Sequence, residues 1–128
     1  MTENGPPNTR YIALEGGDGS GKTTLSSALA AQLRSDGDEV VEVREPGGTP
    51  LGEAVREMLL DSDHVDPWAE VFLFAAQRAQ LVREVVAPAL SRGAWVISDR
   101  TYYSSIAYQG RARGLGEEKV REINEIGL

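Results

Sequence analysis

The chain has 128 residues, 41% of them hydrophobic and 26% charged, with no cysteine and a single histidine, His64. That length suits one domain with one core, which excludes a two-domain enzyme; the missing cysteines exclude a disulfide framework, thiolate metal sites and a cysteine nucleophile. Thirteen Lys and Arg against twenty Asp and Glu leave a formal net charge of −7, an average field that repels polyanions and speaks against nucleic acid or an anionic membrane as a partner.

The first ten residues, MTENGPPNTR, are polar and carry Pro6-Pro7; they read as a flexible tail before a domain spanning 11–128. With no apolar core there and no later run near eighteen apolar residues, neither a signal peptide nor a membrane span is expected. The composition fits a cytoplasmic protein.

Tyr11-Ile12-Ala13-Leu14 is a short apolar run stopped by Glu15 and a glycine-rich turn, as a buried parallel strand ends. From Thr23 to Ser35 the apolar positions Leu25, Ala28, Leu29 and Leu33 predict a helix, with Gly37 as its stop. Val40 to Val43 is a second strand, Glu45 to Pro50 a loop, and Leu51 to Leu60 a helix. Asp66-Pro67 signals a helix start, with Glu70 in the first turn. The apolar series that follows runs almost to Gly93, too far for one straight helix containing Pro88, so a kink at Pro88 or two helices joined near Gln80 are the alternatives. Ala94 to Ser98 is the third strand and delivers Asp99-Arg100. Beyond it we expect a short helix over 104–109, a basic loop over 110–116 and an amphipathic helix over 117–126. His64, Trp68 and Trp95 read as a solvated side chain and two packing residues.

Strands alternating with helices call for a parallel sheet with right-handed crossovers and helices on both faces, a three-layer α/β/α fold with about three strands present. Ligands in such sheets bind at the carboxyl ends of the strands. Those ends carry Glu15-Gly16, Arg44-Glu45 and Asp99-Arg100.

Gly16-Gly17-Asp18-Gly19-Ser20-Gly21-Lys22-Thr23 fits the phosphate-loop pattern G-x-x-x-x-G-K-[ST], between a strand and a helix as that loop requires. Glycines let successive N–H groups turn inward around a phosphate, Lys22 adds a point charge, Thr23 offers a hydroxyl to Mg2+, and the helix, continuing through Thr24, presents its positive end. Asp99, ending an apolar strand, suits a second contact to the metal. A guanine-reading N-K-x-D motif is absent, against a GTPase, and the early lysine of partitioning ATPases is replaced by Glu15 or Gly16.

Four further segments, Arg44-Glu45-Pro46-Gly47-Gly48-Thr49, Phe74-Ala75-Ala76-Gln77-Arg78-Ala79-Gln80, Ser98-Asp99-Arg100 and Ser104-Ser105-Ile106-Ala107-Tyr108-Gln109-Gly110, occur in that order. Together with the phosphate loop they resemble bacterial thymidylate kinases, over nearly the whole chain from Tyr11 onward. The resemblance implies transfer of the γ-phosphoryl of ATP to thymidine monophosphate (dTMP), with Mg2+ as cofactor and a homodimer as the assembly, for which the long apolar helix from Pro67 is a candidate surface. It implies that Lys22, Asp18 and Arg100 are catalytic and that residues 16–24 hold the ATP phosphates. Asp18, Arg44 and Glu45 would border the acceptor, Phe74 would stack on thymine, and Arg78 would reach the base's carbonyl oxygen. Arg100 would clamp the monophosphate, Tyr108 would pack on the sugar where a 2′-hydroxyl would sit, and Ser104, Ser105 and Gln109 would bond nearby. Packing for Phe74, and an ion pair with Asp99 or Glu45 for Arg100, are the bland readings beside these.

The chain departs from the family pattern at Thr101, where an aromatic is usual, at Gln77, often Asp or Ala, and at Leu81, commonly His. Gly19 stands where some members carry arginine, which resembles the class whose catalytic arginine comes from a mobile lid. The family continues with a further strand, that lid and an adenine-contacting loop. The expectation is therefore a C-terminally truncated, non-catalytic chain whose first strand lies at an uncovered edge.

Overall fold

The computed structural model describes residues 10–14, 21–60, 65–99 and four late residues, 118, 119, 122 and 123. Three strands, β1 (Tyr11–Leu14), β2 (Val40–Arg44) and β3 (Trp95–Asp99), form an all-parallel sheet in the order β1-β3-β2. The expected layering is borne out. On the central strand, successive side chains point to opposite faces. Val96 joins Val43, Leu81, Val86, Ala89 and Ala94 in one cluster, while Ile97 joins Ala30 and Val40 in another. Each face is covered by helix, which is why β3 is apolar on both sides. Full burial of Val96 and Ile97 contributes roughly 1.5–3 kcal/mol apiece. β1 pairs with β3 on one side and has no partner strand among the described residues on the other.

Helix α1 (Lys22–Ser35) leaves Gly21 at φ 81°, a left-handed conformation open to glycine at no steric cost. At its far end the Gly37 N–H donates to Arg34 O at 3.0 Å and the Asp38 N–H to Leu33 O at 3.0 Å, with Gly37 at φ 93°; the predicted glycine stop is realised. Helix α2 (Pro50–Leu60) is capped by Thr49, whose Oγ1 accepts from the Gly52 N–H at 2.9 Å, with Pro50 first in the helix. Helix α3 (Pro67–Leu81) is capped by Asp66, accepting from the Trp68 and Ala69 N–H groups. Between α2 and α3 lies a third cluster, Val55, Leu59, Val71 and Phe74, against which Val65, Trp68, Leu73 and Ile123 pack.

The long apolar helix continues past Gln80, and the perturbation expected from Pro88 takes the form of a widened turn before it. The chain passes from α3 into a π-helical turn, Val82–Val86, and then α4 (Ala87–Ser91), with Pro88 in the first turn of α4. Pro88 has no N–H for the Glu84 carbonyl, and the chain answers one turn earlier by widening, with the Ala87 N–H donating to Val82 O, five residues back. The widened turn keeps Leu81, Val86 and Ala89 in one cluster against the sheet. The helix and loop expected over 104–116 fall outside the described residues; Glu118, Lys119, Glu122 and Ile123 of the expected last helix are helical.

Candidate functional site

The strand register builds the site. Leu14 and Arg44 both lie opposite Asp99, so the carboxyl ends of all three strands finish on one line. Lys22, in the first turn of α1, donates its ammonium to the Asp99 carboxylate. The lysine is largely buried and the aspartate half-exposed, so a cation is fixed where the phosphate loop meets β3. Thr23 is exposed beside it, followed by Thr24. Gly16, Gly17, Asp18, Gly19, Ser20, Arg100, Ser104, Ser105, Tyr108 and Gln109 lie outside the described residues.

Next to this pair a cleft of about 390 Å³ opens among Thr23, Ser26, Ser27, Arg44, Gly48, Glu53 and Asp99. Gly48 brings the loop from Glu45 to Thr49 to its lining, and that loop is anchored to three elements. The Glu45 N–H donates to Asp99 O at 2.9 Å, Arg56 of α2 donates to Pro46 O at 3.0 Å, and the Gly47 N–H donates to Gln77 Oε1 of α3 at 3.2 Å. The Glu45–Pro46 peptide is cis. Helix α2 presses close on this loop, for a Cβ at Gly52 would meet the Gly47 carbonyl oxygen at 2.6 Å. Glu53 accepts from the Gly48 N–H at 3.0 Å and from Arg44 Nη2 at 3.0 Å. The Gly48 N–H, more than Arg44 and Arg56, holds its carboxyl below the ordinary range.

Glu45, Arg78 and Phe74 stand apart from the cleft lining. Arg78 Nε donates to Glu45 Oε1 at 2.7 Å and Nη2 to Oε2 at 3.3 Å, with both side chains at 5% exposure or less. Ser98 Oγ donates to the same carboxylate at 3.2 Å and Gln77 Nε2 at 3.4 Å. Such a buried pair is held only because its remaining polar atoms are also satisfied. Phe74 is fully buried among Val55, Leu59 and Val71, and the Arg78 guanidinium lies 5.5 Å from its ring centroid. The structure thus joins Phe74, Arg78 and Glu45, as the sequence grouped them, but in contact with one another and with the core.

The sequence marked Gln77 only as a departure from the family pattern and Ser98 only as part of a motif, and assigned neither to Glu45. Helical phase could have found the first: Phe74, Gln77, Arg78 and Leu81 sit at i, i+3, i+4 and i+7, the buried face of α3. Ser98 carries no such signal, since a serine in a strand buried on both faces looks like any strand-end hydroxyl. Among the described residues no helix is long and apolar enough to cross a membrane.

The family model "Thymidylate kinase" matches residues 14–127. The chain belongs to the thymidylate kinase family. It is 52% identical over 116 residues to a thymidylate kinase of Synechococcus sp. (strain JA-3-3Ab), covering 91% of this chain and 57% of that one. With the thymidylate kinase of Thermosipho africanus (strain TCF52B) it shares 52% identity over 117 residues, covering 91% and 58%. The chain thus spans about 57% of the length of the curated relatives it matches. Among solved structures, thymidylate kinase from Ehrlichia chaffeensis superposes with a TM-score of 0.82 at 38% identity, over 92% of this chain and 69% of that one. The fold is therefore that of a P-loop kinase, as the order of sequence motifs implied.

Proposed function

We propose that this protein takes part in ATP-dependent phosphorylation of dTMP to the diphosphate, with residues 16–24 on the donor side and the cleft beside Arg44 on the acceptor side. One observation carries the reading: the register that lines up Leu14, Asp99 and Arg44 brings Arg44 and Asp99, the latter held by Lys22, to the lining of one open cleft. Phosphoryl transfer asks a protein mainly for placed charge and alignment, and these are the groups supplied. Lys22 neutralises phosphate oxygens of the donor. Arg44 and Arg100 hold the acceptor phosphate by planar forks suited to two oxygens, and Asp18 orients it. The buried Glu45–Arg78–Phe74 unit backs the acceptor side, with Phe74 and Arg78 assigned to the base, and Ser104, Ser105, Tyr108 and Gln109 to the sugar and its surroundings.

Thr23 and Asp99 both line the cleft, and a hydroxyl with a carboxylate is a donor set that fits Mg2+, which keeps several waters and takes its other oxygens from phosphate. When bound, the ion neutralises charge developing on the transferred group. The partners we assign are small-molecule nucleotides, in the cytoplasm. Leu51, Met58, Leu60 and Phe72 are exposed on α2 and α3, an apolar supply that supports a homodimer through that side.

The test is ADP release from Mg2+–ATP with a panel of nucleoside monophosphates, beside Lys22→Ala. In a protein of the length of its relatives turnover should be fastest with dTMP, and the substitution should abolish nucleotide affinity with the circular dichroism unchanged. Preference for a purine acceptor, or equal nucleotide binding by Lys22→Ala and its parent, overturns the assignment.

A further inference from the structure

Glu53 lies in the first turn of α2, and its two oxygens serve different partners. Oε2 takes the Gly48 N–H at 3.0 Å and Oε1 takes Arg44 Nη2 at 3.0 Å. All three residues line the cleft with Asp99. The carboxylate lies close against the loop backbone, a Cβ on Gly47 falling 2.6 Å from Oε2, although the side chain is half-exposed. The sheet register fixes the Arg44 backbone opposite Asp99, but the arginine side chain is half-exposed. A free arginine keeps rotamer entropy, which a phosphate ligand would have to remove on binding. A bond made beforehand to Glu53 removes part of it in advance.

We propose that Glu53 is a positioning residue for the acceptor phosphate: by gripping Gly48 and Arg44 together, it presents the Arg44 guanidinium to the phosphate of a nucleoside monophosphate in one orientation. The proposal rests on the assignment of Arg44 to that phosphate. Glu53 acts through Arg44 and makes no contact with the ligand itself. Its negative charge opposes anion binding, but at this exposed position the field is screened by solvent and salt, so preorganisation sets the sign.

Glu53→Gln separates the two roles, because the amide keeps an oxygen for the Gly48 N–H and turns an N–H group, not an acceptor, toward Arg44. The Michaelis constant for the monophosphate should rise roughly fivefold, the amount an exposed pair of this kind carries. The turnover number and the constant for ATP should stay as in the parent. Glu53→Asp should recover part of the loss, and in an Arg44→Met background Glu53→Gln should add nothing. An unchanged or lower constant in Glu53→Gln overturns the proposal. Arginine side-chain 15N NMR of the chain without nucleotide reads the orientation directly: Arg44 should show hindered guanidinium rotation that Glu53→Gln releases. Equal mobility in both proteins overturns the positioning role whatever the ligand. Hindered rotation in a parent that binds no nucleoside monophosphate overturns the acceptor assignment, and the ligand named here with it.

Discussion

At the residue scale, the buried carboxylate of Glu45 is the group on which Arg78, Gln77 and Ser98 converge. It receives Arg78 through two nitrogens, and also Ser98 and Gln77. Removing different members should therefore cost very different amounts. Glu45→Ala deprives a buried guanidinium of its bidentate carboxylate, and breaking such a pair costs about 3–5 kcal/mol, a large part of the stability of a small domain. Ser98→Ala takes away a single neutral donor and leaves the ion pair intact, for about 1 kcal/mol. Urea unfolding of the two variants checks the order; comparable losses would show that the pair is not the dominant contact. Glu53 offers the opposite case, an exposed group with a readable titration. Its carboxyl is held below the ordinary range by the Gly48 N–H, so the charged form is favoured in the folded chain. The stabilisation it gives the loop is present above a carboxylate's unfolded value and is lost as pH falls through the lower, folded one. The Gly48 amide 15N shift should follow a midpoint below that of an ordinary Glu carboxyl, and should be flat in Glu53→Gln. A midpoint at or above that value would contradict the bond.

At the element scale, the fit of α2 against the 45–49 loop shapes the cleft. Gly52 is helical, so alanine there gains about 1 kcal/mol in propensity, yet its Cβ would sit 2.6 Å from the Gly47 carbonyl oxygen and 2.8 Å from its carbonyl carbon. Both are backbone atoms held from two sides, and overpacking of this kind costs about 1–3 kcal/mol. The clash wins: Gly52→Ala should melt lower than the parent and weaken monophosphate binding more than ATP binding. A melting temperature equal to or above the parent's would mean the loop gives way freely. Elements were legible where one local signal sufficed. The apolar runs marked all three strands, Gly37 ended α1, and Asp66-Pro67 opened α3. Pro88 signalled a perturbed helix but not its form, because whether the chain kinks or widens into Val82–Val86 depends on keeping Leu81, Val86 and Ala89 on the sheet. The motifs named Glu45 and Arg78 together, but not their bond to each other, since 33 residues separate them and no local pattern states which strand end meets which helix face.

At the scale of the whole molecule, the site exists only because two crossovers, β1 to β2 and β2 to β3, bring the carboxyl ends of the three described strands to the same end of the sheet. β3 lies between β1 and β2, and Asp99 ends beside both neighbours. A ligand that touches the phosphate loop, β2 and β3 at once therefore ties together segments far apart in sequence, and its binding should be read as global stabilisation. At a hundred times its dissociation constant a ligand that binds only the folded state contributes about 2.7 kcal/mol. If Phe74 and Arg78 serve a pyrimidine, dTMP should raise the melting temperature more than adenosine or guanosine monophosphate at equal concentration. The three share a phosphate, so any difference reports the base and sugar. Arg78 and Phe74 are buried against one another and Glu45, so a role for them in base selection needs the acceptor side to open on binding, which the comparison of bases reports. Differential scanning fluorimetry at matched concentrations decides it: a purine monophosphate giving the largest shift would remove the thymidylate assignment, while equal shifts for all three would leave only the phosphate recognised.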